Sequence, residues 1–111
     1  FRNFSNVRLV KGFFQDTLKK SAKEYGINNA GVVMVDCDLY SAAKLAFNFV
    51  KPCISKGTIF ILDDYFNYAA DEKKGVQAAF NEFMKQNKIT CKELIRYGVG
   101  GIVFIVSDIK K

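Results

Sequence analysis

The sequence has 111 residues, half of them hydrophobic, with a single proline, eight glycines and a net charge of +6. That length allows one domain with a real core, and the composition excludes a disordered chain. No apolar run approaches the roughly 18–20 residues that span a bilayer, and the lysines are scattered without an arginine-rich stripe, so neither a membrane nor a nucleic acid is the expected partner.

The chain opens on Phe1-Arg2-Asn3-Phe4, with neither an initiator methionine nor a capped element start, and is expected to be a fragment of a longer protein. Val7–Lys11 reads as a short strand stopped by Gly12. The spacing of Leu18, Ala22 and Tyr25 predicts a helix from Asp16 to Tyr25, closed by Gly26. Gly31–Asp36 is the next strand. A helix from about Ser41 is expected to bury Ala42, Leu45, Ala46, Phe49 and Val50, until Pro52 breaks it and Gly57 ends the connection. Thr58–Asp63 is a third strand, leading through Tyr65-Phe66-Asn67-Tyr68 into a helix from Asp71 to about Gln86. There Val76, Ala79, Phe80, Phe83 and Met84 form one apolar stripe. Lys92–Tyr97 and Gly101–Ser107 flank a glycine-rich turn as an antiparallel hairpin, the second strand central and the first, more charged, at the edge.

The strands Gly31–Asp36 and Thr58–Asp63 are almost wholly apolar, which suits parallel strands buried on both faces. Each ends in clustered aspartates: Asp36 and Asp38 on one, Asp63 and Asp64 on the next. A helix-like crossover joins them, so their carboxyl ends share the edge where open α/β sheets bind ligands. Four gathered carboxylates repel one another unless a cation neutralises them. With no histidine in the chain, the expected cation is a hard, oxygen-liganded one: Mg²⁺, Mn²⁺ or Ca²⁺. Cys37, Cys53 and Cys91 are odd in number and widely spaced, which argues against a disulfide framework and for a reducing, cytoplasmic setting. Without a histidine to activate it, Cys37 reads as a small buried residue and not as a nucleophile.

Val32–Tyr40 (VVMVDCDLY) together with Gly57–Phe66 (GTIFILDDYF) resembles the macrocin-type, TylF-like family of sugar O-methyltransferases. Val7–Leu18 (VRLVKGFFQDTL) adds a third match, and the similarity covers essentially the whole chain. More distantly, the turn Gly12-Phe13-Phe14-Gln15-Asp16 resembles that of catechol O-methyltransferase. The resemblance implies an α/β, Rossmann-like class I methyltransferase fold, here its C-terminal half, with a mostly parallel sheet, a terminal antiparallel hairpin and helices on both faces. It implies S-adenosylmethionine as methyl donor, with Asp36, Asp63 and Asp64 as metal ligands and Asp38 as general base. Gly12, Phe14 and Gln15 would border the cofactor's adenine, with Asp36 also counted on the cofactor side. Tyr40, Tyr65 and Tyr68 lie near the same edge and could flank a sugar or polyphenol ring, or equally serve in packing or as a lid.

Simpler readings stand beside these. Asp38 could N-cap the following helix, Asp63 or Asp64 could cap or shape the turn, and Phe13 and Phe14 could equally be plain core aromatics. An Asp-x-Asp nucleotidyl or glycosyl transferase, or a non-catalytic α/β assembly piece, would carry similar strand ends. The family's glycine-rich cofactor loop and its ribose-binding acid, which belong to the fold's first two strands, are not found in this sequence. The 111-residue chain is therefore expected to bind S-adenosylmethionine poorly on its own. The unpaired edges of Gly31–Asp36 and Val7–Lys11 are expected to drive self-association, by exchange of the N-terminal strand, or to be covered within a longer protein.

Overall fold

The computed structural model describes residues 5–110; the opening Phe1-Arg2-Asn3-Phe4 lies outside the described residues. Four strands form one sheet: β1 (Val32–Val35), β2 (Ile59–Leu62), β3 (Ile89–Tyr97) and β4 (Gly101–Ile109), in the order β1-β2-β4-β3. β1 and β2 run parallel, with Val33 opposite Phe60 and Val35 opposite Leu62. β4 is antiparallel to both β2 and β3, so the sheet mixes one parallel pair with two antiparallel ones. The hairpin is as expected: β4, apolar on both faces, is central, and the charged β3 takes the edge. Both strands run further at their far ends than the sequence pattern indicates.

Two helices cover one face, α2 (Tyr40–Val50) crossing from β1 to β2 and α3 (Gly75–Asn87) following β2. That face presents Val33, Val35, Phe60, Leu62, Ile102, Phe104 and Val106, packed in one cluster with Ala43 and Phe47 of α2 and Val76, Ala79, Phe80 and Phe83 of α3. Phenylalanine rings dominate its centre. The Phe80 centroid lies 5.3 Å from that of Phe47, 5.3 Å from Phe60 and 5.0 Å from Phe104, the separations at which aromatic pairs add to plain burial. The stripe predicted for α3 is the one observed.

Several expectations are corrected. β1 is not buried on both faces: Val32 is 60% and Met34 58% exposed on the side away from α2 and α3. Val7–Lys11 joins no ladder: no backbone hydrogen bond links it to another segment among the described residues. Instead of one helix over 16–25 there is a single turn, α1 (Phe14–Thr17), and then a 3₁₀ turn at Lys23–Tyr25. The break has a local cause. Ser21 and Glu24 form a capping box, in which the Glu24 amide donates to Ser21 Oγ (3.3 Å) and the Ser21 amide to Glu24 Oε2 (2.7 Å), starting a new turn at Ser21. Gly26 closes that turn in the left-handed conformation, as predicted (φ 82°).

α2 buries Ala43 and Phe47, which the predicted stripe omits; Ala46 and Val50 of that stripe pack half-buried against the same core, while Leu45 stays exposed. The helix is apolar on most of its circumference, so periodicity alone does not choose its inner face; its Ala42-Leu45-Phe49 side turns towards the N-terminal segment. α3 starts at Gly75, not Asp71, because Lys74 is still extended (φ −130°, ψ 155°); before Asp71, Tyr68, Ala69 and Ala70 all take positive φ (62°, 56° and 59°). Asp71 instead accepts the Lys73 amide (2.9 Å) in a tight turn leading to the helix.

Candidate functional site

Parallel pairing of β1 and β2 in register forces their carboxyl ends side by side, and the Asp63 amide still donates to the Val35 carbonyl (3.2 Å) at the last rung. The next residues of both strands therefore open onto one edge. There Asp36, Asp63 and Asp64 each offer a carboxylate oxygen, all within 4.8 Å of one another. These are the three residues singled out from the sequence. Asp38 joins them through a side chain that the sequence reading missed: Asn67 Nδ2 donates to Asp38 Oδ1 (3.2 Å) and to Asp64 Oδ1 (3.4 Å). A second missed residue is Tyr97, at the end of β3, whose hydroxyl donates to Asp63 Oδ1 (2.8 Å).

Asp38 does not cap α2. Leu39 occupies the N-cap position, with no side-chain cap bond, and the Asp38 carboxylate is turned to Asn67 instead. Among the described residues the ion pairs are Lys56–Asp108 and Arg96–Glu93, so none of the four aspartates is neutralised by a lysine or arginine.

The charges are felt locally. Burial, then the charge of Asp38 and a hydrogen bond with it, then Asp36 and Asp63, all raise the Asp64 carboxyl above its ordinary value. Burial first, and the charges of Asp64, Asp38 and Asp36 after it, push the Cys37 thiol up as well, which opposes a thiolate nucleophile. The Tyr97 hydroxyl is pushed up to about 12 by desolvation, by its bond to Asp63 and by the charges around it, so at neutral pH it is a donor. Oxygen-only donors, crowded and without a counter-charge, fit a hard divalent cation.

A pH effect follows. Because the folded-state value of Asp64 lies above its unfolded one, near 3.8, its stabilising contribution is fully present below that pH and is lost as pH rises through the folded value. In chelator, the melting temperature of the wild type should therefore fall relative to that of Asp64→Asn as pH is raised from 3.8 through that window. Parallel curves for the two proteins would show that no such repulsion is stored there.

Gly12, Phe14 and Gln15 come together with Phe13 along a cleft of ≈ 510 Å³ whose other wall is Cys37, Leu39, Ser41, Ala42 and Leu45. The exposed side of α2 thus belongs to a cleft that reaches the acidic edge at Cys37. Asp36 does not line it and stays with the other carboxylates. The three tyrosines separate. Tyr65 is buried in the core against Phe66 and Phe104, so it is no wall of the site. Tyr40 and Tyr68 line a shallow second cleft of ≈ 460 Å³ with Leu39, Ser41, Lys73, Lys74 and Gly75. No helix among the described residues is long and apolar enough to cross a membrane.

A family model described as macrocin-O-methyltransferase (TylF) matches residues 3–104. Among solved structures, that of the O-methyltransferase NovP superposes with a TM-score of 0.75 at 23% identity, covering 96% of this chain and 40% of its own. The apo structure of CalS11, a TDP-rhamnose 3′-O-methyltransferase of calicheamicin biosynthesis, superposes with a TM-score of 0.66 at 19% identity, covering 86% of this chain and 39% of its own. The fold is thus that of these methyltransferases, and the chain spans about 40% of the length of the solved structures it matches. No curated protein matches it.

Proposed function

The chain belongs to the macrocin O-methyltransferase (TylF) family, and we propose that it supplies the metal-binding and acceptor-binding part of an S-adenosylmethionine-dependent O-methyltransferase acting on a sugar hydroxyl. The observation that carries this reading is the trio of carboxylate oxygens from Asp36, Asp63 and Asp64 within 4.8 Å, at the carboxyl ends of two parallel strands, with no basic side chain among the described residues paired to them. A sugar acceptor is in keeping with CalS11, whose substrate is a nucleotide-linked rhamnose.

Methyl transfer from a sulfonium is an in-line displacement, so catalysis consists of aligning the acceptor oxygen and removing its proton. A divalent cation held by Asp36, Asp63 and Asp64 would supply Lewis-acid polarisation of that hydroxyl. Asp38, beside the trio but outside it, would take the proton, its carboxylate held by the Asn67 amide. Phe13, Phe14, Leu39, Ala42 and Leu45 give the larger cleft an apolar lining suited to the flat adenine of S-adenosylmethionine, with Gly12 and Gln15 at its rim. Tyr40 and Tyr68 offer ring faces to a sugar in the second cleft.

The test is methyl transfer by the full-length protein from labelled S-adenosylmethionine to nucleotide-linked sugars and glycosides. Label should appear in the sugar, disappear with chelator and return with Mg²⁺ or Mn²⁺. Transfer that is indifferent to chelator removes the metal from this reading, and label that never enters a hydroxyl removes the O-methyltransferase.

A further inference from the structure

The carboxylates are held from outside by the end of the β3–β4 hairpin, a part of the chain that no strand-end motif includes. Tyr97 closes β3 and pairs across the hairpin with Gly101, the first residue of β4. Its ring lies directly over that glycine: a Cβ on Gly101 would sit 2.3 Å from Cζ and 2.5–2.6 Å from both Cε atoms. Lying flat there lets the hydroxyl reach Asp63. Next to it, Gly100 accepts the Phe66 amide (3.1 Å), and a Cβ on Gly100 would come within 3.1 Å of Asn67 Oδ1 and 3.5 Å of the Asp63 carbonyl. The turn thus packs against the loop that carries Asn67, whose amide then spans Asp38 and Asp64.

Both donors are neutral. A lysine or arginine in either place would also orient a carboxylate but would cancel its charge, whereas an amide and a phenol fix geometry and leave the charge available to a cation. We infer that Tyr97 and Asn67 are positioning residues that pre-set the carboxylates of this edge, Tyr97 acting on the metal-site Asp63 and Asn67 on the metal-site Asp64 and on Asp38 beside it, and that Gly101 is required because only glycine leaves the Tyr97 ring its place. This inference rests on the metal reading above and adds to it which residues build the site.

The experiment is Mn²⁺ titration by calorimetry on the full-length protein, with metal-free melting curves to confirm folding. Tyr97→Phe keeps the ring over Gly101 and removes only the hydroxyl; it should weaken Mn²⁺ binding by roughly tenfold, the lower end of what outer partners of metal ligands contribute. Gly101→Ala displaces the ring and should weaken binding similarly, and the double variant should be no weaker than either single one, since both remove the same bond. Asn67→Ala should lower kcat by a larger factor than it lowers Mn²⁺ affinity, because it releases Asp38 as well as Asp64. Tyr97→Phe alone carries the test if Gly101→Ala does not fold. Mn²⁺ affinity of folded Tyr97→Phe within about twofold of wild type, against the roughly tenfold expected, overturns the inference and leaves the metal reading intact. Additive losses in the double variant overturn the role of Gly101. A wild-type protein that takes up no Mn²⁺ removes the metal reading, and this inference with it.

Discussion

Asp63→Asn is expected to abolish most of the stabilisation that Mg²⁺ gives the wild-type protein. A cation that binds only the folded state stabilises it by RT ln(1 + [L]/Kd), about 2.7 kcal/mol at a concentration of 100 Kd. Loss of a direct ligand should weaken binding at least as much as the strongest outer-partner losses, ~100-fold. At the same Mg²⁺ concentration only about 0.4 kcal/mol would then remain, a difference of several degrees in melting temperature. The substitution is a clean probe because an asparagine oxygen can still accept the Tyr97 hydroxyl, so the packing of the hairpin end is kept and one negative charge is removed. Without metal the sign should reverse. Asp63 contributes to the repulsion that raises Asp64, so the variant should melt slightly higher than wild type in chelator at neutral pH. Opposite shifts with and without cation distinguish a metal ligand from an aspartate that shapes a turn. If Mg²⁺ raises both proteins equally, or raises neither, Asp63 is not a ligand.

How far the sequence discloses this site depends on the range of the interactions that make it. β1 and β2 are readable because an uninterrupted apolar run marks a strand, although it overstates the burial of β1, and the aspartates at their ends follow in the next positions. The central place of β4 is readable for the same reason, from Ile102-Val103-Phe104-Ile105-Val106. Val7–Lys11 has strand-like residues but no strand, because a ladder is a property of two segments and the second is not among the described residues. The inner face of α2 is hidden by an excess of signal, since Ala42, Leu45 and Phe49 are as apolar as Ala43 and Phe47. The division of 16–25 into two turns was within reach, because Ser21 and Glu24 stand at capping-box spacing. Asn67 and Tyr97 were not. Tyr97 reaches Asp63 across 34 positions, and Asn67 reaches Asp38 across 29; both depend on how the hairpin end docks against the loop after β2. Tyr65 is left undecided by the sequence for a related reason. A tyrosine beside two aspartates suits a site wall as well as a core, and only the packing of Phe80 and Phe104 decides for the core.

Asp38→Asn should lower turnover by roughly 10²–10⁴-fold, the range that a positioned general base contributes, while Mn²⁺ affinity changes far less. The two effects separate because Asp38 lies outside the trio of oxygens within 4.8 Å and meets it through Asn67, through its charge and through a hydrogen bond with Asp64, none of which is coordination. Asparagine keeps the shape and still offers Asn67 an acceptor oxygen, so neither the loop nor the start of α2 loses a partner; α2 in any case takes no cap from this side chain. What is removed is the proton acceptor and one charge. Loss of the charge weakens the attraction for a cation modestly and relieves Asp64, two effects on affinity that oppose each other. The residual activity should rise with pH, as hydroxide substitutes for the missing base, in a range where wild-type turnover is already flat. Comparable losses in turnover and in Mn²⁺ affinity would make Asp38 a fourth ligand, and unchanged turnover would leave it as an acceptor for Asn67 and nothing more.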